Sequence, residues 1–320
     1  MLLVVLSGAL ALLAQTANGA SPATRVALFD SVYGAEATYN LSMWRASLFS
    51  RLEQFISDNP ALHLHHEVRA EEWHKRFEPF QPFITCPPDQ RLERVGNEHD
   101  GGKWLCGLDK MKAPCNVISV GSFNDYGFEQ AVLQNTKCNI TTLDCTVSKP
   151  RVQDPARHKF FKKCMSSEAT VTERKDFMSY RDLVEGELRL PSTDAPLLKI
   201  DIEGYEFPVM SEWTPDTPNL PSQIAVEIHV ASWKRQALSK THPIWNRHRL
   251  GVLDLGLFFA HLAELGYGIV SKEDNEYCGN CSEFTLFRVE AAVPSRATAS
   301  RISQLRRHRN RRLRRARRHA

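Results

Sequence analysis

The 320-residue chain has no apolar run long enough to cross a membrane. Its longest, MLLVVLSGALALLA at residues 1–14, falls short of the roughly 18 residues a spanning helix needs. It contains no G-x-G-x-x-G segment. The loop that cradles a dinucleotide pyrophosphate is therefore missing, which sets a dinucleotide-dependent oxidoreductase far down the order of readings. The lone Cys278-Gly-Asn-Cys281 has no partner pair to complete a zinc ribbon. There is no internal repeat, and Gly 16 and Pro 17 are too few for low-complexity linkers. Nor does any acid fall within residues 301–320, where ten Arg stand. Those ten belong to a total of 41 Lys and Arg; the other 31 face 37 acids, so the body is mildly acidic and the net charge of +4 comes from a tail. That tail gives no sign of a nucleic-acid-binding face on the folded part.

What is present is ordinary globular composition, 42% hydrophobic and 24% charged. It excludes a wholly disordered chain, a collagen-like fibre and a multi-span membrane protein. Residues 1–20 have the length and the small polar boundary of a signal peptide, without a basic residue before the apolar core. Cleavage is expected near Ala17-Asn-Gly19 or after Ala20. Export makes the eight cysteines readable as disulfides, although eight allow 105 pairings. Cys278 and Cys281 are expected to form a structural bridge. Three sequons, at Asn40, Asn139 and Asn280, agree with a secreted or ER/Golgi glycoprotein. Asn139 falls in a run that reads as a buried strand and is expected to stay unmodified.

The chain divides into a leader (1–20), an N-terminal helical extension (21–85), a main domain (86–290) and a disordered Arg-rich tail (291–320). Outside the cell, the partners for such a tail are sulfated glycans or anionic membrane surfaces; specific nucleic acid is not expected. Arg309–Arg312 and Arg315–Arg318 also have the pattern of proprotein-convertase sites. In the extension, the spacing of Trp44, Leu48, Leu52, Phe55 and Ile56 predicts a helix over 42–57. The His-rich 63–80 reads as a solvated amphipathic helix rather than a metal site, because no Cys or paired acid completes a ligand set. Residues 92–96 and 103–107 flank Asn97–Gly102 as a hairpin.

From Asn116 short apolar runs alternate with helical segments. Strands are expected at 117–120, 140–143, 197–202, 224–228, 267–270 and 284–289, and helices at 128–133 and 255–265. This is the signature of an α/β fold with a mostly parallel sheet, helices on both faces and an antiparallel end. Ligands of such sheets sit at the carboxyl ends of the strands. After the first comes Gly121-Ser122-Phe-Asn-Asp-Tyr-Gly127, where glycines allow a sharp turn and open the next helix. Asp144 ends the second strand 23 residues on, a place suited to ribose hydroxyls. After the third stand Asp201, Glu203 and Gly204. In the fourth, strand alternation puts Glu227 and His229 on one face, as a base and its orienting partner would be.

Lys199-Ile-Asp-Ile-Glu-Gly-Tyr-Glu206 and Glu227-Ile-His229 resemble the K-[IV]-D-[IV]-E-G-x-E and E-[IV]-H segments of FkbM-type methyltransferases. With Gly101-Gly-Lys-Trp104 and Val117–Glu129 they resemble the exported eukaryotic methyltransferase-like branch, over about Cys86 to Val289. The resemblance implies a class I, Rossmann-like seven-stranded fold that binds S-adenosylmethionine. It implies that Gly121, Ser122 and Gly127 approach the donor's methionine part, Asp144 its ribose and Asp182 its adenine. Asp201, Glu203, Glu227 and His229 would line the methyl-acceptor side. The family's acid and asparagine flanking the first glycine are absent; Ser119 and Ser122 stand nearby. The expected reaction is methyl transfer to an oxygen or nitrogen acceptor, which could be a glycan hydroxyl, a lipid head group, a protein side chain or another small molecule; family analogy favours a glycan. His229 is expected as base and Glu227 as its orienter, with Asp201 beside them. A second version has Asp201, Glu227 and His229 hold a divalent cation. The competing class is an inactive exported binding protein on the same fold.

Overall fold

A computed structural model describes residues 25–27, 32–63, 70–98, 101–152, 154–230, 250–276 and 278–292. The expected leader and all but the first residues of the expected tail lie outside these. In chain order the elements are β1 (Arg25–Ala27), α1 (Val32–Asp58), α2 (Pro60–His63), a 3-10 segment (Ala70–Phe77), β2 (Leu92–Val95), β3 (Lys103–Cys106), β4 (Asn116–Val120), α3 (Gly127–Asn135), β5 (Asn139–Leu143) and β6 (His158–Phe161). Then follow β7 (Cys164–Met165), α4 (Glu168–Glu173), β8 (Phe177–Met178), a π-helical turn (Asp182–Glu187), β9 (Leu197–Ile200), α5 (Glu206–Ser211), β10 (Gln223–His229), α6 (Val252–Glu264), β11 (Tyr267–Asp274), β12 (Cys281–Arg288) and β13 (Glu290–Ala292).

Seven strands form one sheet in the order β11-β12-β10-β9-β4-β5-β6. β4 runs parallel to β5 and β9, β5 to β6, and β9 to β10. β12 lies antiparallel between β10 and β11. This is the mostly parallel sheet with an antiparallel end that the sequence pattern predicts, with the seven strands and Rossmann-like order that the resemblance implies. Strand order reverses between β4 and β9, the switch point where an open sheet leaves a crevice at its carboxyl edge.

Period-2 alternation gives the sheet two unlike faces. Ile118, Val120, Leu198, Ile200, Val226 and Ile228 join the larger core with α6 and α1. Val117, Leu197 and Ala225 join a smaller core with Phe128 and Val132 of α3. Further along that second face the same strands carry Ser119, Lys199 and Glu227, all buried.

Helix α1 begins at Val32, well before the expected start. Tyr33, Ala37, Leu41, Trp44, Leu48 and Leu52 form its buried stripe and belong to the larger core. A Cβ on Gly256 of α6 would stand 2.3 Å from Leu52 Cδ1, so the glycine lets the two helices approach. The expected solvated helix over 63–80 is replaced by the 3-10 segment, and Phe77 and Phe80 are fully buried. Their rings pack against Phe284 and Phe259, an apolar gain that overrides the segment's polar character. His74 Nε2 lies 2.9 Å from the Cys278 carbonyl, and His65 and His66 fall outside the described residues.

The hairpin β2–β3 forms as predicted and is tied to the sheet. Gln223 of β10 accepts from Cys106 N at 2.7 Å and donates to Cys106 O at 3.2 Å. All eight cysteines pair: Cys86–Cys106, Cys115–Cys138, Cys145–Cys164 and the expected Cys278–Cys281. Asn139 departs from its expectation. It is the exposed first residue of β5, at the edge of the sheet opposite the crevice, whereas the rest of that strand is buried. Asn280 is the buried sequon.

Candidate active site

A cleft of about 490 Å³ opens at the carboxyl ends of β4, β5, β9 and β10. Its size suits a drug-sized or cofactor-sized ligand. Of the expected site residues, Gly121, Ser122, Asp144, Asp201, Glu203, Glu227 and His229 line it. Gly127 and Asp182 do not. Gly127 opens α3 behind the wall, and a Cβ there would meet Asn97 Oδ1 at 2.3 Å, so it serves the packing of the hairpin turn. Asp182 is exposed at the start of the π-helical turn.

One end of the cleft is held by the backbone. Gly121 has φ +81°, and an added Cβ would fall 1.8 Å from the Asp201 carbonyl oxygen. Only glycine fits there. Phe123 and Asn124 follow at φ 47° and 66°. Asp144 pins this turn. Its Oδ2 accepts from Ser122 N at 3.1 Å and Phe123 N at 2.7 Å, and its Oδ1 from Thr146 N at 2.8 Å and Thr146 Oγ1 at 2.6 Å. A carboxylate offers about four acceptor sites, and all are in use. Asp144 thus clamps the glycine turn and also lines the cleft.

The other end is held by charge. After β9 the chain reverses through Glu203 (φ 59°) and Gly204 (φ 102°). Glu206 makes this reversal possible: its fully buried carboxylate accepts from Ile202 N and Gly204 N, each at 2.8 Å. Glu206 Oε1 also meets His229 Nδ1 at 3.0 Å. The carboxylate that orients His229 is therefore Glu206, while Glu227 sits on the opposite side of the ring. Asp201, Glu203 and Glu227 each place an oxygen 4.0 Å from His229 Nε2. Burial alone would lower the imidazole pKa, but Glu206, Glu227 and Asp201 outweigh it and push it up to about 10. His229 is thus a cation at neutral pH. Burial, reinforced by the Asp201 charge, pushes Glu227 up to about 8.

Lys103 of β3, which sequence reasoning did not single out, completes the network. It is fully buried, paired with Glu283 of β12 and 3.6 Å from Asp201 Oδ2. Burial disfavours its charge, yet Glu283, Asp201 and Glu227 more than compensate and raise its pKa. Burial likewise opposes ionisation of Asp201, and Lys103, Lys199 and His229 reverse that, holding it well below the usual carboxylate range. Lys199 Nζ donates to the Gly121 carbonyl and links the two ends.

A family model described as a methyltransferase domain matches residues 29–288. No curated protein matches the chain. Solved structures that the chain matches include a protein assigned as a SAM-dependent methyltransferase from Streptococcus mutans. It shares 11% identity at a TM-score of 0.32, over 64% of this chain and 57% of its own. Another, assigned as an S-adenosylmethionine-dependent methyltransferase from Listeria monocytogenes, shares 12% identity at a TM-score of 0.32, over 57% of this chain and 95% of its own. The antibiotic-resistance methyltransferase Kmr shares 14% identity at a TM-score of 0.31, over 62% of this chain and 100% of its own.

Proposed function

We propose a methyl-transfer function from one premise: the chain belongs to the methyltransferase-domain family. Within it, Lys199–Glu206 and Glu227–His229 support the FkbM-type, exported branch. S-adenosylmethionine is the donor. The cleft suits it in size, and the acidic wall of Asp201, Glu203 and Glu227 suits its positive charge. Gly121 and Ser122 would hold its amino-acid end. When bound, it supplies a methyl group already activated on a sulfonium, so the protein's task is alignment and proton removal.

The observation that carries the reading is the polar stretch Ser119, Lys199, Glu227 and His229 on one sheet face, ending in that cleft. There the ionised fraction of Glu227, which grows as pH rises toward 8, takes the acceptor's proton at a carboxylate oxygen, and the imidazolium of His229 stays beside it to balance the charge. The roles read from sequence are thus exchanged, because Glu206 keeps His229 protonated. The metal-free version is favoured over the divalent-cation version. Asp201 already faces Lys103 and His229. The one group of donor atoms drawn within 4.8 Å among the described residues is Glu227, His229, Cys278 and Cys281, whose sulfurs are joined to each other. A chelator is expected to leave the rate unchanged.

The acceptor we favour is a hydroxyl compound of the secretory pathway, a glycan foremost; four disulfides suit an oxidising compartment. Calorimetric titration with S-adenosylmethionine and S-adenosylhomocysteine tests the core of the reading. Micromolar binding is the expected result. Folded protein that binds neither belongs to the competing class, an inactive binding protein.

A further inference from the structure

Strand β4 brings no acid to the glycine turn. Ser119, two residues before Gly121, is neutral and fully buried. Its hydroxyl donates to Glu129 Oε1, which reaches it from the first turn of α3. Glu129 is itself 1% exposed and lines the cleft. Its second oxygen, Oε2, has no hydrogen-bond partner. Buried carboxylate oxygens are rarely left so, because the lost hydration has nothing to replace it. Neither lysine of the cleft wall hydrogen-bonds it: Lys199 Nζ donates to the Gly121 carbonyl and Lys163 Nζ to the Lys175 carbonyl.

We propose that Glu129 binds the ammonium group of the donor's amino-acid end, through the oxygen now left without a partner. The proposal rests on the methyltransferase reading above and names the contact that reading lacks. An ammonium brings three N–H donors and a full charge, the complement of an unpaired carboxylate oxygen. Ser119 fixes the other oxygen and so fixes the plane of the group. Glu129 and Gly121 line the same cleft, so a ligand held by its amino-acid end at the glycine turn has this carboxylate within the cavity it occupies. Burial holds the Glu129 carboxyl above its ordinary range, while Lys199 and Ser119 pull it back toward ionisation. A bound cation would complete that shift. A helix-borne acid thus stands in for the strand-borne one that this chain does not have.

The test uses two ligands that share an adenosine and a thioether but differ in the amino-acid end. S-adenosylhomocysteine carries the ammonium; 5′-methylthioadenosine lacks it. Both are titrated calorimetrically into the full chain and its Glu129→Gln variant. Loss of one charge-assisted hydrogen bond predicts roughly 10- to 100-fold weaker S-adenosylhomocysteine binding, with methylthioadenosine affinity held within about twofold. Equal losses for both ligands would mean that Glu129 only supports the turn, and would overturn the proposal. So would an unchanged affinity for S-adenosylhomocysteine. If wild-type protein binds neither ligand, the donor reading itself has failed, a result distinct from the other two. Should Glu129→Gln not fold, Glu129→Asp keeps the charge but withdraws it by one methylene. It is expected to weaken S-adenosylhomocysteine alone, and equal affinities there count against the proposal.

Discussion

The two faces of the central sheet are built from the same strands and do different work. On the larger-core side β4, β9 and β10 present Ile118, Val120, Leu198, Ile200, Val226 and Ile228, apolar along their whole length. On the other side the same strands carry Val117, Leu197 and Ala225 and then, toward the carboxyl edge, Ser119, Lys199, Glu227 and His229; Gln223, at the start of β10, is taken up by the hairpin. Because side chains alternate at a period of two, each strand can store burial energy on one face and a charged group on the other without compromise. The difference teaches where to expect stability and where to expect chemistry. It also explains how several ionisable groups survive burial: the opposite face supplies the apolar area that offsets their desolvation.

Mutations that separate the faces sharpen this comparison. Leu198→Ala opens a hole in the apolar face and is expected to cost about 2–5 kcal/mol in denaturant unfolding. The variant should still bind donor while it remains folded; a loss of binding out of proportion to the unfolded fraction would show the faces to be coupled. On the polar face, Glu206→Gln removes the charge behind His229. We expect methyl transfer to fall about 100-fold, a scale typical of proton-transfer groups, with donor affinity nearly unchanged. The imidazole should then titrate well below 10 by NMR; an unmoved titration would mean that Glu206 is not what holds the proton.

Most diagnostic is the pH dependence of stability. His229 has a folded pKa of about 10 against 6.5 unfolded, so its contribution is complete below 6.5 and lost as pH rises through 10. Glu227 has a folded pKa of about 8 against 4.5. The folded state keeps a proton that the unfolded state gives up, so stability falls between 4.5 and 8. Both slopes have the same sign from 6.5 to 8, and only that of His229 persists above 8. Glu227→Gln should remove the fall between 4.5 and 6.5 and, because Glu227 is one of the charges that raise His229, end the remaining fall at a lower pH than in wild type. A curve identical to wild type would remove Glu227 from the account.

Much of this was legible in the sequence, because the apolar runs of β4, β5, β9, β10, β11 and β12 are bounded by turn residues. Strand β6 was not, since His158-Lys-Phe-Phe161 is a short edge strand with no alternation to read. The first turns of α1 were missed because Tyr33 and Ala37 are weak apolar signals, although their spacing to Leu41 is helical. In the site, the acids at strand ends announced themselves through the α/β pattern. Lys103 and Glu129 did not. Lys103 finds Glu283 across 180 positions, and Glu129 meets Ser119 only because α3 folds back on β4. Pairings between distant segments leave no mark on local periodicity. The position of Asp144 at the end of β5 was legible, whereas its bonds to the glycine turn were not.

The span of the Lys103 pairing bears on the order of assembly. The lysine belongs to an early hairpin, and one carboxylate that neutralises it belongs to β12, near the end of the described fold. Until that strand inserts between β10 and β11, the lysine behind Asp201 of the cleft wall lacks this counter-ion. Contacts of such long range form late, after their loop-closure cost has been met. During synthesis, N-terminal segments emerge first, so a ribosome-bound chain cannot present a finished cleft before β12 has left the exit tunnel. A competent site is then a record that nearly the entire fold has been threaded.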